Sequence, residues 1–174
     1  WVGTGSGVSR RSGISWTSYL TGGFPTEIQR VTEDVSGRFW LQTSAGLFSL
    51  DIPGPSPRAW TAADGLPDDI VTAMLPARDG SMWFGTARGV ARLAAGAWTV
   101  WKNLGTPGDS SIQVLREDRT GGVWAGTDID ASRWDGVRWT PARYPQQLAG
   151  QPITDIFADS SGAVWVHSQS GTSR

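Results

Sequence analysis

A short motif, Trp-x-Gly-Thr with two variants, returns along the whole chain and constrains its fold more than any other feature. Its copies are 39, 43, 41 and 41 residues apart and begin at Trp1, Trp40, Trp83, Trp124 and Trp165. A second tryptophan, always followed by Thr, comes fifteen residues later in three units and twenty residues later in one, at Trp16, Trp98, Trp139 and Trp60. Two marks that keep one period indicate an internal structural repeat.

Each unit has the pattern of four short strands. A β-branched residue stands twelve residues before the motif tryptophan, at Ile28, Val71, Ile112 and Ile153, and a glycine stands three before it, at Gly37, Gly80, Gly121 and Gly162. The stretch between them predicts a strand, a tight turn and a second strand, and the glycine provides the positive φ that a short hairpin turn needs. A glycine-containing turn, a third strand and a fourth strand with the Trp-Thr pair complete the unit.

A four-stranded unit of this size cannot bury both of its faces alone, so neighbouring units must stack face to face. The sequence therefore predicts an all-β fold, a β-propeller of four-stranded antiparallel blades. We expect the periodic tryptophans to fill the space between blades, because a residue present in every blade serves packing. The predicted blades are residues 1–27 (partial), 28–69, 70–111, 112–152 and 153–174 (partial).

The number of strands predicts an incomplete ring. Five copies of the second strand cannot fit a closed ring of four blades, so about four blades are present and the ring must be completed elsewhere. Either the chain is part of a larger propeller, or several copies join through exposed edges that would otherwise be templates for pairing. The predicted partners are accordingly the remaining blades of a parent propeller or another copy of the chain.

Composition excludes several classes of function. The net charge is -1 and the arginines are scattered, so no footprint for nucleic acid is visible. There are no cysteines, hence no disulfide framework and no thiolate zinc site. No apolar run is long enough to span a membrane, and no basic, apolar leader opens the chain at Trp1, so we expect no membrane contact by this segment.

The repeat resembles a known family. The segments E-D-R-T-G-G-V-W-A-G-T, W-F-G-T followed by G-V-A-R-L, and the loop D-G-L-P-D-D from Asp64 to Asp69 are similar to the two-component regulator propeller repeat. Departures from the pattern are Gln42 and His167 at the strand glycine, Pro76 and Ala77 at the Glu-Asp pair, and Asp130 at the turn glycine. The resemblance implies a bacterial, periplasmic or extracellular sensor domain in signal transduction, belonging to a membrane-bound hybrid histidine kinase or a diguanylate cyclase.

No catalytic constellation is visible, and no cofactor or metal is predicted. His167 is the only histidine and has no cysteine or clustered carboxylate near it in sequence. The segment G-T-G-S-G at residues 3–7 lacks the lysine and helix of a phosphate loop. Asp34, Asp118 and Asp159 stand six residues before the motif tryptophan, and their phase predicts turn residues that bond local backbone amides.

Residues that do not repeat are the better candidates for ligand binding, because binding groups usually lie on variable loops of a rigid scaffold. In propellers the loops between the second and third strands and the links between blades open on one face, here called the loop face. The predicted ligand-binding residues on it are Asp128, Asp130, Arg88, Trp101, Lys102 and Tyr144. Asp130 takes a turn position that is glycine in the other units, and we expect it to accept the same backbone conformation.

The primary hypothesis is a non-catalytic recognition module for an unknown small molecule or carbohydrate, within an extracytoplasmic sensor. A secreted or periplasmic carbohydrate- or protein-binding scaffold without signalling is the alternative, and a propeller lyase or hydrolase has less support. A cluster of His, Tyr, Lys or Arg at the mouth of the central channel would favour an enzyme.

Overall fold

The computed structural model describes residues 2–4, 7–19, 27–51, 57–105, 111–142 and 150–174. Within them the chain forms five antiparallel sheets in chain order. The first sheet contains β1 (Val2–Thr4), β2 (Gly7–Ser12) and β3 (Ser15–Tyr19). The second contains β4 (Ile28–Glu33), β5 (Phe39–Thr43), β6 (Gly46–Leu50) and β7 (Arg58–Trp60).

The remaining sheets repeat the same order. The third contains β8 (Val71–Pro76), β9 (Met82–Thr86), β10 (Gly89–Ala94) and β11 (Ala97–Trp101). The fourth contains β12 (Ile112–Glu117), β13 (Val123–Thr127), β14 (Ala131–Trp134) and β15 (Trp139–Pro141), and the fifth contains β16 (Ile153–Ala158), β17 (Val164–Ser168) and β18 (Gly171–Ser173). A single turn of 3-10 helix, Ala62–Asp64, precedes β8.

The sheets are arranged around a shared centre. The first strands β4, β8, β12 and β16 contact one another in succession although they belong to different sheets. Each sheet then continues outward strand by strand through antiparallel neighbours. This is the predicted propeller of four-stranded blades, and the ring is not closed, so the predicted fold class is confirmed.

The glycine of the Trp-x-Gly-Thr strand is explained by the contact between neighbouring sheets. A Cβ on Gly126 would lie 2.7 Å from Cγ2 of Ile153, and one on Gly3 would lie 2.5 Å from Cγ2 of Ile28. Gly85 meets Ile112 in the same way. The strand glycine and the β-branched residue of the next unit therefore share a period because they touch.

Each hydrophobic cluster lies between two neighbouring sheets. Between the second and third sheets, Trp40 is fully buried and its ring centroid is 5.5 Å from that of Trp60, which is 5.5 Å from that of Trp98. Between the third and fourth sheets, the ring of Trp83 lies 6.0 Å from that of Trp139. The motif tryptophans Trp40 and Trp83 thus face the following sheet, and Trp98 and Trp139 face the preceding one. Trp60, whose spacing from its motif is twenty residues instead of fifteen, faces the following sheet.

The two outer sheets leave the corresponding tryptophans uncovered. Trp16, which would face a sheet before the first, is 54% exposed, and Trp165, which would face a sheet after the fifth, is 36% exposed. Phe157 is 61% exposed on the same side as Trp165. Trp124 is half-buried against the fifth sheet, and Trp1 lies outside the described residues. The packing direction of each tryptophan therefore decides its exposure.

The turn between the first and second strands is the same in four sheets. Its glycine has φ between 82° and 90°, as the sequence predicted, at Gly37, Gly80, Gly121 and Gly162. The aspartates at the start of the turn cap it as expected: Oδ1 of Asp34 accepts hydrogen bonds from the backbone amides of Ser36 and Arg38. Oδ2 of the same side chain accepts from the indole Nε1 of Trp40 at 2.8 Å. The aspartate therefore ties the turn to the motif tryptophan.

Candidate functional site

The antiparallel topology places the predicted ligand-binding residues at one end of the blades. Arg88 lies in the turn between β9 and β10, and Asp128 and Asp130 lie in the turn between β13 and β14. Lys102 follows β11 in the link to the fourth sheet and is exposed. Tyr144 lies outside the described residues. We call the opposite end, with the turns after the first and third strands, the turn face.

Two of these residues make contacts that the sequence did not indicate. Arg88 forms an ion pair with Asp68, whose Oδ2 is 3.4 Å from its Nε. The ring of Trp101 stacks on Trp83, with centroids 5.4 Å apart and planes at 13°, and it lies 4.7 Å from the ring of Trp134. Trp101 thus packs into the cluster between the third and fourth sheets instead of facing a loop. Its role in ligand binding stays a prediction.

The turn that contains Asp130 differs from its counterparts. The equivalent glycines have φ between 123° and 142°, at Gly7, Gly46, Gly89 and Gly171, whereas Asp130 has no positive φ. The expectation that Asp130 keeps the glycine conformation was wrong, because aspartate tolerates the left-handed region near 60° but not this region, which only glycine populates readily. The turn is still closed in the same way as its counterparts, because the hydroxyl of Thr127 donates to the carbonyl of Asp130 as those of Thr43 and Thr86 donate to Gly46 and Gly89.

Asp128 presents an unusual carboxylate on the loop face. Its backbone amide donates to the carbonyl oxygen of Ser111, while its buried Oδ1 has no hydrogen-bond partner in the described part of the chain. A buried acceptor without a donor is costly. The ligand role of Asp128 and Asp130 remains a prediction, and this oxygen is the feature that a donor group would satisfy.

A cleft of about 490 Å³ lies on the turn face between the third and fourth sheets. Trp83, only 2% exposed, contributes to its floor together with Ala77. Four charged side chains line it as well, those of Asp79, Arg92, Arg133 and Asp135. The remaining lining residues are Thr120, Gly121, Gly122, Val123, Trp134 and Gly136. Its size is that of a small-molecule site.

In the fourth sheet, the indole and arginine donors next to the turn have an acceptor within the chain. Oδ2 of Asp118 accepts hydrogen bonds from Nε1 of Trp124 at 3.1 Å and from Nε of Arg133 at 2.7 Å. Trp124 and Arg133 are direct neighbours across β13 and β14. Burial would raise the pKa of Asp118, but hydrogen bonds from Arg133, Thr120 and Trp124 outweigh it and hold that pKa well below its ordinary value.

The third sheet has the same two donors and lacks the acceptor. Trp83 and Arg92 are neighbours across β9 and β10 in the same register. The residue six before Trp83 is Ala77, so the carboxylate that bridges the two donors in the fourth sheet has no counterpart here, and the carboxylate of Asp79 reaches only Nη2 of Arg92. Nε1 of Trp83 and Nε of Arg92 are both buried without a hydrogen-bond partner among the described residues. Two unpaired donors in one place are what a ligand with an acceptor group would satisfy.

Sequence reasoning missed this cleft because it sought unusual residues on the loop face. The sequence does contain a signal for it. An aspartate stands six residues before three of the motif tryptophans, and Ala77 takes that position before Trp83. The backbone turn itself is retained, since the amide of Ala77 donates to the carbonyl of Ser81 at 2.9 Å and the amide of Gly80 to the carbonyl of Ala77 at 3.0 Å. Only the side chain is missing.

The described ranges contain no group of three or more His, Asp or Glu side chains placed to hold a metal ion. In the same ranges, no helix is long and apolar enough to cross a membrane.

Comparison with known proteins gives a family match and several similar structures. Residues 65–88 match the family model described as two component regulator propeller. No curated protein matches the chain significantly. The matched residues contain the loop Gly65–Asp69, β8, the turn that follows it and β9, which form the centre of the repeat.

Three solved structures illustrate the structural similarity. The extracellular domain of BT3049 of B. thetaiotaomicron, attributed to a hybrid two component system, has a TM-score of 0.72 at 16% identity, covering 94% of this chain and 24% of that one. The extracellular domain of BT4673 of the same organism, attributed to a one component system, has a TM-score of 0.69 at 19% identity, covering 91% of this chain and 23% of that one. Virginiamycin B lyase from Staphylococcus aureus has a TM-score of 0.64 at 13% identity, covering 88% and 53%.

The chain spans about a quarter of the length of the two extracellular domains and about half of the lyase. At these identities the similarity shows the propeller fold. The family match shows a two component regulator propeller repeat at residues 65–88, and the other units carry similar motifs on the same strands and turns.

Proposed function

We propose that the chain is a non-catalytic ligand-recognition propeller, part of the extracytoplasmic sensor region of a membrane-bound two-component sensor kinase or a related diguanylate cyclase. The observation that carries the proposal is the cleft on the turn face, whose floor presents two buried N–H donors without an acceptor. The family repeat and the similarity to extracellular domains of two component systems support the sensor context and a periplasmic or extracellular location.

The groups around the cleft favour binding over catalysis. Hydrogen bonds from Ser81 and Arg92 outweigh burial and lower the pKa of Asp79, and backbone hydrogen bonds from Arg138 and Val137 lower the pKa of Asp135. Both are therefore carboxylates at neutral pH, whereas a general acid or base works best with a pKa near the operating pH. His167 lies in the fifth sheet and its Nδ1 is hydrogen-bonded to Thr172, away from the cleft. Recognition is the function that this arrangement supports.

The exposed outer tryptophans support a larger assembly. Trp16 and Trp165 face outward from the two outer sheets, where their equivalents Trp98 and Trp83 pack against a neighbouring sheet. Exposed apolar faces of this kind require a partner. We infer that further blades of a parent propeller cover them. Sedimentation of the purified chain tests this: self-association that Trp165→Ser reduces is expected, and a stable monomer at high concentration would contradict it.

The test of ligand recognition is a thermal-shift screen of the chain against small molecules and oligosaccharides. A specific ligand at a hundredfold excess over its Kd should stabilise the fold by about 2.7 kcal/mol, which is readily measured. Asp128→Ala and Asp130→Ala then report whether the loop face takes part, and Trp83→Phe whether the cleft does. A screen in which no compound raises the melting temperature would refute recognition by this chain.

A further inference from the structure

We propose that the cleft binds the carboxylate of a small hydroxylated organic acid, with one carboxylate oxygen accepting hydrogen bonds from Nε1 of Trp83 and Nε of Arg92. The inference rests on the proposed recognition function and names its ligand class. Its source is a comparison of the third sheet with the fourth, which have the same backbone turn and the same pair of donors.

The fourth sheet provides the template for the bound group. There both donors converge on a single carboxylate oxygen, Oδ2 of Asp118, at 3.1 and 2.7 Å. In the third sheet Ala77 leaves out that carboxylate while the donors remain. A ligand carboxylate would restore the charge-assisted hydrogen bonds that Asp118 makes in the fourth sheet. The aspartate side chain that is missing at Ala77 therefore indicates that the ligand group in its place is a carboxylate.

The positive charge at this point is suited to an anion. The guanidinium of Arg92 lies 5.6 Å from the centroid of the Trp83 ring, and its Nη2 is held by Oδ2 of Asp79 at 2.7 Å. These contacts orient the guanidinium, and its buried Nε has no hydrogen-bond partner among the described residues. Arg133 also lines the cleft and, although its Nε is bonded to Asp118, it adds a second guanidinium to the lining.

The rim of the cleft has the opposite character and indicates the rest of the ligand. The side chain of Asp79 is 52% exposed, and Asp135 is exposed at the same mouth. Both are acceptors with negative charge, so groups that reach them must donate hydrogen bonds. Trp134 and the backbone of Gly121 and Gly122 form the wall between floor and rim. The ligand therefore has a carboxylate at one end and hydroxyl donors at the other.

The test observes the indole N–H of Trp83 directly. In ¹H–¹⁵N spectra of the chain, the Trp83 indole signal is assigned by its loss in Trp83→Phe, and the chain is titrated with D-glucuronate and, in parallel, with D-glucose. We expect glucuronate alone to shift the Trp83 signal, while the indole of Trp40, already bonded to Asp34, stays unchanged. A titration with L-serine, which has a carboxylate, an ammonium and a single hydroxyl but no hydroxyl-rich ring, tells whether the rim prefers hydroxyls.

Two variants separate the site from general effects of packing. Ala77→Asp places the carboxylate of the other sheets in the vacancy and should abolish the response to glucuronate. Trp83→Phe keeps the aromatic packing and removes the donor, and should weaken binding about tenfold or more. Trp40→Phe makes the same change in the second sheet and should leave the affinity unaltered.

The outcomes distinguish this inference from the broader function. Equal shifts with glucose and glucuronate, or glucuronate binding that persists in Ala77→Asp, would overturn the carboxylate assignment while ligand recognition stands. A Trp83 signal that no carboxylate moves, including acetate at high concentration, would mean that the donors bind only water, and the inference would be wrong. Recognition itself fails only if the thermal-shift screen also finds no ligand.

Discussion

Replacing Asp118 by alanine should be among the most destabilising single changes in the fourth sheet. Its carboxylate is 8% exposed and accepts five hydrogen bonds, from the backbone amides of Thr120 and Gly122, the Thr120 hydroxyl, the Trp124 indole and the Arg133 guanidinium. Removing one partner of a buried charged pair costs about 3–5 kcal/mol. Because the Arg133 side chain is 31% exposed and regains some hydration, we expect the lower end, about 3 kcal/mol.

The effect is measurable by thermal unfolding monitored by circular dichroism. For a chain of this length, about 3 kcal/mol corresponds to a fall of about 6–12 °C in Tm. Asp118→Asn keeps one carbonyl oxygen and should lose about half as much. The matched control is Asp51→Ala, since Asp51 is 62% exposed in its ion pair with Arg38 and should change stability by less than about 1 kcal/mol. Equal effects of Asp118→Ala and Asp51→Ala would refute the assignment of the turn as a structural anchor.

Three further predictions follow from the same contacts. Gly126→Ala should destabilise the chain by about 1–3 kcal/mol, because its Cβ would lie 2.7 Å from Ile153, and the cost should shrink in an Ile153→Ala background when measured by a double-mutant cycle. Since the pKa of Asp118 is lowered on folding, the stability that it confers is fully present above the unfolded pKa of about 3.9 and is lost progressively as the pH falls from there through the lower pKa of the folded state, so acid unfolding of Asp118→Asn should have a shallower pH dependence. Trp101→Leu should remove the stacked pair with Trp83 and reduce the near-ultraviolet circular dichroism signal, whereas an unchanged spectrum would contradict the stacked geometry.

The fold could be predicted because the residues that recur with the repeat are the ones that make contacts between neighbouring units. Gly126 and Ile153 are 27 residues apart in the chain, yet they keep one period because the sheets press them together. The turn glycines were equally predictable, because glycine adopts φ values near 85° without steric cost and residues with a Cβ do not. Such positions can be identified in a single sequence when it contains several copies of the unit that can be compared.

The candidate site was not predictable in the same way. Trp101 breaks the period, which suggested a loop position, but an irregular tryptophan next to a regular cluster gains more from stacking on Trp83 than from exposure. Asp130 was expected to keep the conformation of the glycine it replaces, but the turn changed instead. In both cases the local pattern was clear and the neighbouring residues decided the outcome.

Ala77 shows why a loss can be more informative than a gain in a repeat protein. A residue that is new in one blade can be a solvated side chain with no consequence for its neighbours. A residue that is missing leaves behind the partners that it satisfies in another blade, here the indole of Trp83 and Nε of Arg92, whose counterparts in the fourth sheet are bonded to Asp118. Buried donors without acceptors cost about 1–3 kcal/mol each, and a ligand of the proposed kind would remove that cost by supplying the acceptor. The blade that departs from the repeat by subtraction is therefore where a ligand would be recognised.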